Sequence, residues 1–204
     1  IHIVKNLSDP AAVKEIAEEI KKQNIDIDIL INNAGIGVYG NFSHTEREKE
    51  LNMIKLNITA LTDLTKLLLG EMIKKRYGKI LNVASTAAFQ PGPKMAVYFA
   101  SKAYVLSFSE ALREEVKQYG ITVSCLCPGS TKTEFQKQAA TEGILGSLRE
   151  EVMMDAKMVA RIAYRGLQKG KAIIIPGIKN KSLIILERFL PRSVVRRIVA
   201  NIMK

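Results

Sequence analysis

The 204-residue sequence predicts an α/β domain built on a doubly wound parallel sheet, three layers deep. Two observations predict it. Short, near-continuous apolar runs (27–31, 79–85, 121–127 and 172–175) alternate with longer stretches whose apolar residues recur at helical spacing. Strands that read as unbroken apolar runs are the kind buried on both faces of a parallel sheet. A third observation concerns the strand ends. Asn32, Ser85 and Pro128 each stand where an apolar run stops, so three loops converge on one crevice. In such sheets ligands bind beyond the carboxyl ends of the strands.

The elements follow in order. Residues 1–4 alternate and predict a short strand. Ser8, Asp9 and Pro10 predict a helix start, a capping side chain followed by proline in the first turn. Val13, Ile16, Ala17 and Ile20 carry that helix over 11–24. A buried strand at 27–31 then closes a strand–helix–strand unit, which implies a right-handed parallel crossover. It runs into Asn32-Asn33-Ala34-Gly35, with Gly37 and Gly40 close behind. The stretch 44–76 predicts one long helix with an apolar stripe at Leu51, Ile54, Ile58, Leu61, Leu64 and Leu68. Gly78 opens the next strand, which ends at Ser85. Pro91-Gly92-Pro93 makes 86–94 a loop. The following helix opens with Tyr98-Phe99-Ala100-Ser101-Lys102 and runs to about Tyr119. Gly120 starts the strand 121–127, and Pro128-Gly129 stops it. The polar, loosely patterned stretch 132–154 reads as an insertion suited to a lid. An amphipathic helix over 155–169 and a last strand at 172–175 come next. Helical pieces at about 180–189 and 192–204 form a basic extension over 178–204, and the whole chain, 1–204, is a single domain.

Composition narrows the function. Hydrophobic residues make up 47% and charged residues 25%, ordinary for a soluble globular chain. No apolar run approaches the ~18 residues of a membrane span. Cys125 and Cys127 stand two apart in a strand, neither a disulfide framework nor a metal pattern. They read as buried thiols of a reducing, cytoplasmic compartment. His2 and His44 stand alone, so no metal is expected. The net charge is +11, and residues 165–204 hold ten basic side chains against the single acid Glu187. Such a surplus suits an anionic partner: a membrane surface, a phosphate or nucleic acid. Nucleic acid is set aside, because no aromatic interleaving or reader motif accompanies the charge. In 192–204, Val194, Val195, Ile198, Val199 and Ile202 share a face apart from Arg196, Arg197 and Lys204. That face either packs on the body or a sister subunit, or touches a membrane.

The chemistry centres on Tyr98 and Lys102. Four residues apart on a helix, they share a face. A free phenol has a pKa near ~10, and a close cation favours its ionised form. That makes Tyr98 a candidate acid or base. Of the six tyrosines, it alone has a lysine four residues on. Ser85 ends the preceding strand. Asn57 lies inside the apolar long helix, where a buried amide must be satisfied.

Together these residues resemble the short-chain dehydrogenase/reductase family over nearly the whole chain. Asn32-Asn33-Ala34-Gly35 matches the family's NNAG turn, Asn57 its helix asparagine and Ser85 its strand-end serine. Tyr98 and Lys102 match its Tyr-xxx-Lys pair, and Pro128-Gly129 with Thr133 its Pro-Gly-xxx-Thr stretch. The resemblance implies a Rossmann-like sheet and an NAD(P)-dependent oxidoreductase that interconverts a small, lipophilic ketone and its alcohol. Tyr98 would give or take the proton, Lys102 would lower the phenol's pKa and bind the nicotinamide ribose, and Ser85 would hold the carbonyl oxygen. Asn57 would position a water linking Lys102 to solvent. Asn32, Asn33, Ala34 and Gly35 would line the adenosine side, with Asn6 and Leu7 beside the adenine. Pro128, Gly129, Thr131 and Thr133 would meet the nicotinamide end and phosphates. The cofactor is NADP or NAD, with NADP favoured. Ile174-Ile175-Pro176-Gly177, Asn180-Lys181 and Pro191-Arg192 resemble a subgroup of bacterial reductases and relatives acting on acyl or steroid ketones.

The chain also departs from the family. No Gly-x-x-x-Gly-x-Gly follows any strand, so the turn that cradles the pyrophosphate is not in this sequence. The chain reads as beginning at the family's third strand, N-terminally incomplete. A parent enzyme is expected to be active, and this chain to bind cofactor poorly. The helix at 44–76 and the Tyr98 helix resemble those through which the family forms homodimers or homotetramers. Two rivals stand beside this reading: a non-catalytic binding or regulatory protein on the same fold, and a membrane-surface protein acting through its basic tail.

Overall fold

The computed structural model describes residues 1–135, 139 and 153–203. Helix α1 (Pro10–Lys22) is capped by Asp9, whose side chain accepts from Ala11 N at 3.0 Å. Strand β1 (Ile29–Asn32) leads to α2 (Arg47–Ile54), a π-helical segment (Lys55–Ala60) and α3 (Leu61–Lys75). Strand β2 (Gly78–Val83) precedes a short 3-10 turn (Thr86–Phe89) and the long α4 (Ala96–Val116). Then come β3 (Ile121–Leu126), β4 (Thr131–Lys132), β5 (Met154–Asp155), α5 (Ala156–Gln168) and β6 (Ile173–Ile174). Helices α6 (Ile178–Glu187) and α7 (Arg192–Ile202) complete the described chain.

The main sheet is fully parallel, in the order β1-β2-β3-β6. Its register pairs Asn32 with Asn82 and Asn82 with Cys125, so the carboxyl ends of β1, β2 and β3 lie level. Side chains alternate between the two faces. Leu30, Ile80 and Val123 pack on Met72 of α3 and on Leu112 and Val116 of α4. Leu81 and Leu126 point the other way, onto Val159, Ala163 and Leu167 of α5. Cys125 and Cys127 are buried free thiols, as expected, with sulfurs 3.8 Å apart. Gly120 turns α4 into β3 at φ 74°, where an added Cβ would meet Arg76 O at 2.6 Å. No described helix is long and apolar enough to cross a membrane.

Several expectations need correction. Residues 1–4 form no strand. A strand needs a ladder partner, and β1 pairs only with β2, while α1 packs on α3. The expected crossover from 1–4 to β1 is therefore not made. The sheet is not covered evenly either: among the described residues α5 is the helix on the second face, and Ile29 and Ile31 of β1 remain exposed. The long helix starts at Arg47 and is interrupted by its π turn. Its buried residues are Glu50, Met53, Asn57, Ala60, Leu61, Thr65 and Met72, and only Leu61 of the predicted stripe is buried. The predicted loop at 86–94 holds a 3-10 turn. Of the predicted lid, 136–138 and 140–152 lie outside the described residues. Its two ends meet where Thr131 pairs with Met154 and Lys132 with Asp155.

Candidate active site

A cavity of about 600 Å³ opens beyond the carboxyl ends of β1, β2 and β3. Ser85, Tyr98 and Lys102 line it, together with Asn33, Gly35, Pro128, Gly129, Thr131 and Thr133. Local structure brings each one in. Ser85 caps the 3-10 turn, its Oγ accepting from Ala87 N at 3.1 Å, which fixes it at the end of β2. Tyr98 stands in the first turn of α4, and Lys102 one turn further on. Thr131 Oγ1 donates to Gly129 O at 2.9 Å, which ties the loop after β3.

Lys102 is 5% exposed and its Nζ donates to Val83 O at 2.9 Å. The same nitrogen stands 5.7 Å from the centroid of the Tyr98 ring. Burial removes water from the ammonium and pulls its pKa down to about 8. Burial also pushes the Tyr98 phenol above the usual tyrosine value, and a hydrogen bond with Ser85 pulls part of that back. The expected lowering of the phenol by Lys102 is therefore not what this geometry produces. The cation sits over the ring face and is held by Val83 O, so desolvation decides the direction. The balance favours the neutral phenol over the phenolate.

Asn57 is 1% exposed and sits in the π segment, a feature found often at functional sites. Its Oδ1 accepts from Ile36 N at 3.0 Å, and its Nδ2 donates to Ile36 O at 2.9 Å and Ser101 Oγ at 3.1 Å. It thus clamps the loop after β1 onto the π segment and α4. Gly35 lies against it. A Cβ there would stand 3.2 Å from Asn57 Oδ1 and 3.3 Å from Lys102 Nζ, so only glycine leaves both atoms in place.

Other predicted residues lie elsewhere. Both Asn32 amide hydrogens are held inside the fold, by Thr65 Oγ1 at 2.9 Å and Asn82 Oδ1 at 2.8 Å. Its side chain joins sheet to helix and does not face the cavity. Asn6 accepts from Ser8 N at 3.1 Å in a turn leading to α1, and neither it, Leu7 nor Ala34 lines the cavity. The sequence reading missed residues that do. Phe135 packs its ring 5.4 Å from that of Tyr98. Tyr39 donates to Met203 O at 3.2 Å and brings the end of α7 to the cavity wall. An aromatic shortly after Thr133 was a usable signal for Phe135. Nothing local signals Met203, 164 residues from its partner.

The short chain dehydrogenase family model matches residues 1–143. The chain belongs to the short-chain dehydrogenase family. It is 34% identical over 162 residues to the 3-oxoacyl-[acyl-carrier-protein] reductase FabG of Haemophilus influenzae, covering 78% of this chain and 67% of that one. Nodulation protein G of Rhizobium meliloti is 34% identical over 149 residues, covering 73% and 59%. The chain thus spans roughly 60 to 67% of the length of the curated relatives first matched. Among solved structures, a short-chain dehydrogenase from Sphingobium yanoikuyae in complex with NADPH superposes with a TM-score of 0.77 at 28% identity, covering 92% and 75%. A 7beta-hydroxysteroid dehydrogenase gives 0.84 at 20% identity, a likeness of fold alone.

This short-chain dehydrogenase fits the nicotinamide end of an NAD(P) cofactor. The bare backbone at Gly35 gives access to Lys102, and the Pro128–Thr133 loop lines the same space with hydroxyls and backbone groups. No Gly-x-x-x-Gly-x-Gly follows a strand in this sequence.

Proposed function

We propose that this chain carries the catalytic half of an NAD(P)-dependent oxidoreductase, with NADP favoured, that interconverts a lipophilic ketone and its alcohol. The observation that carries it is the meeting of Ser85, Tyr98 and Lys102 in one cavity. Ser85 Oγ holds the carbonyl oxygen. Tyr98 delivers its phenolic proton to that oxygen as negative charge develops there. Lys102, charged at neutral pH, holds the ribose and steadies the phenolate left behind. Asn33, Gly35, Pro128, Gly129, Thr131 and Thr133 would hold the cofactor, which supplies the hydride when bound. Asn57 positions the loop and a water on the proton path. The Sphingobium yanoikuyae neighbour in complex with NADPH supports the cofactor choice, and the 3-oxoacyl reductase name of the Haemophilus influenzae relative supports a ketone substrate.

The proposal extends to the setting. Reduced, buried Cys125 and Cys127 support a cytoplasmic location. Half-exposed Ile54, Leu67 and Tyr104 on α2, α3 and α4 support a homodimer or homotetramer built on those helices. Exposed Ile185, Phe189 and Ile198 beside Arg188, Arg196 and Arg197 support peripheral membrane contact through the tail. Arg196→Glu with Arg197→Glu should then weaken binding to anionic vesicles; unchanged binding removes that contact. The enzymatic reading is tested by incubating the chain with millimolar NADPH and a panel of ketones. Alcohol should form, and Ser85→Ala should slow it by about 100-fold or more. A panel without product would leave the non-catalytic rival standing.

A further inference from the structure

Cys125 and Cys127 take no part in the chemistry at Tyr98. Two apart at the end of β3, they project from the same face, toward α4. Both are 0% exposed, and their sulfurs stand 3.8 Å apart. The backbone fixes that spacing. Cys125 N donates to Ala172 O at 2.7 Å and Cys127 N to Ile174 O at 2.8 Å, so the β6 segment pins both positions. Ala84, Val105 and Leu106 pack with the pair. Ala84 and Lys102 also line the catalytic cavity, so the sulfurs lie one layer behind its wall. The charge of Lys102 reaches both of them.

Two chemistries suit a close pair of thiols, and distance separates them. A disulfide holds its sulfurs at about 2.05 Å, a closure of about 1.8 Å. Here that closure falls on a strand paired on both sides, to β2 and to β6. A metal ion about 2.3 Å from each sulfur spans up to about 4.6 Å when the three atoms are in line, so the pair opens by at most about 0.8 Å. Donor count then selects the ion. Among the described residues, no group of three or more His, Cys, Asp or Glu is placed to hold a metal. Zinc and iron–sulfur centres take four ligands. A soft monovalent cation such as Cu(I) is satisfied by two thiolates in line.

We propose that Cys125 and Cys127 form a two-coordinate site for Cu(I). The ion keeps its oxidation state throughout. Two S–H bonds break, two Cu–S bonds form, and two protons leave. The product carries one negative charge, and the Lys102 ammonium offsets it in a space that water does not reach. The ion enters from the cavity, past Ala84 and Lys102. Once bound, it braces the end of β3 just before Pro128. The site is independent of the oxidoreductase reading. The cavity also has methionines on its wall, Met95 and Met203, whose neutral thioethers are the competing soft donors.

The test needs neither cofactor nor substrate. The full chain, kept free of oxygen with a reductant that is not a thiol, is titrated with Cu(I) held by a chromogenic chelator. One Cu(I) per chain should pass to the protein and raise its melting temperature. X-ray absorption at the copper edge should then show two sulfur neighbours. Cys125→Ser and Cys127→Ser should each abolish the uptake, with circular dichroism reporting whether the variants fold. Met95→Leu combined with Met203→Leu should keep it. No transfer to the wild-type chain overturns the proposal. So does uptake that survives either cysteine change, or that disappears with the methionines. If a cysteine variant does not fold, the wild-type copper still decides: a third neighbour, or nitrogen and oxygen in place of sulfur, overturns the two-thiolate site.

Discussion

Lys102 holds its charge in a place where water cannot help it. Its pKa in the folded protein, about 8, lies below the 10.5 of a free lysine. Between those values the unfolded chain keeps a proton that the folded chain has released, so stability rises with pH across that window. Tyr98, displaced upward from 10.0, works in the opposite direction only above that value. From about pH 8 to 10, then, wild type should gain about 1.4 kcal/mol per pH unit relative to Lys102→Met. Denaturant unfolding at several pH values measures this, and identical pH dependence in the two proteins would refute the burial argument. Gly35 gives a second prediction. Gly35→Ala puts a methyl against Asn57 Oδ1 and Lys102 Nζ, so it should cost turnover about tenfold or more with little loss of stability. Wild-type turnover in that variant would show that these atoms have room to spare. At this scale the sequence was informative wherever chemistry demands a side-chain type: Ser85, Tyr98 and Lys102 meet as expected. It was silent on Asn57's partners, because Ile36 contributes backbone atoms that any residue would supply.

Elements were legible where burial sets a plain pattern and obscure where a local irregularity shifts it. The strands β1, β2 and β3 fall on their apolar runs. The long helix does not keep its predicted face, because the π segment around Asn57 inserts an extra residue into the turn that no periodicity reveals. Beneath the site runs a buried polar chain. Asn32 donates to Asn82 Oδ1 at 2.8 Å, and Asn82 Nδ2 donates to Ser109 Oγ at 2.9 Å. It ties β1, β2 and α4 together below the cavity. Asn82 is fully buried, and a polar residue amid an apolar strand was a signal that the sequence reading did not follow. Asn82→Leu removes one partner each from Asn32 Nδ2 and Ser109 Oγ, which keep Thr65 Oγ1 and Val105 O, and should cost about 1–3 kcal/mol of folding stability by chemical denaturation. A neutral effect would mean that the chain contributes no net stability.

Across the whole molecule, the reacting half and the cofactor's phosphate half are unequally represented. The cavity lined by Ser85, Tyr98, Lys102 and the Pro128–Thr133 loop is in place, whereas no Gly-x-x-x-Gly-x-Gly follows a strand in this sequence. Reduced cofactor should therefore bind this chain more weakly than micromolar, as read by its fluorescence on titration; micromolar binding would contradict that. The closure of the cavity by Met203 was not legible, since it depends on the far end of the chain folding back to Tyr39. The central claim is that Tyr98 is the proton donor of a ketone reduction. The most direct measurement compares wild type with Tyr98→Phe at millimolar NADPH, following alcohol formation and ketone affinity together. The rate should fall about 100- to 10,000-fold with ketone affinity unchanged. A phenylalanine variant that turns over at close to the wild-type rate would contradict it.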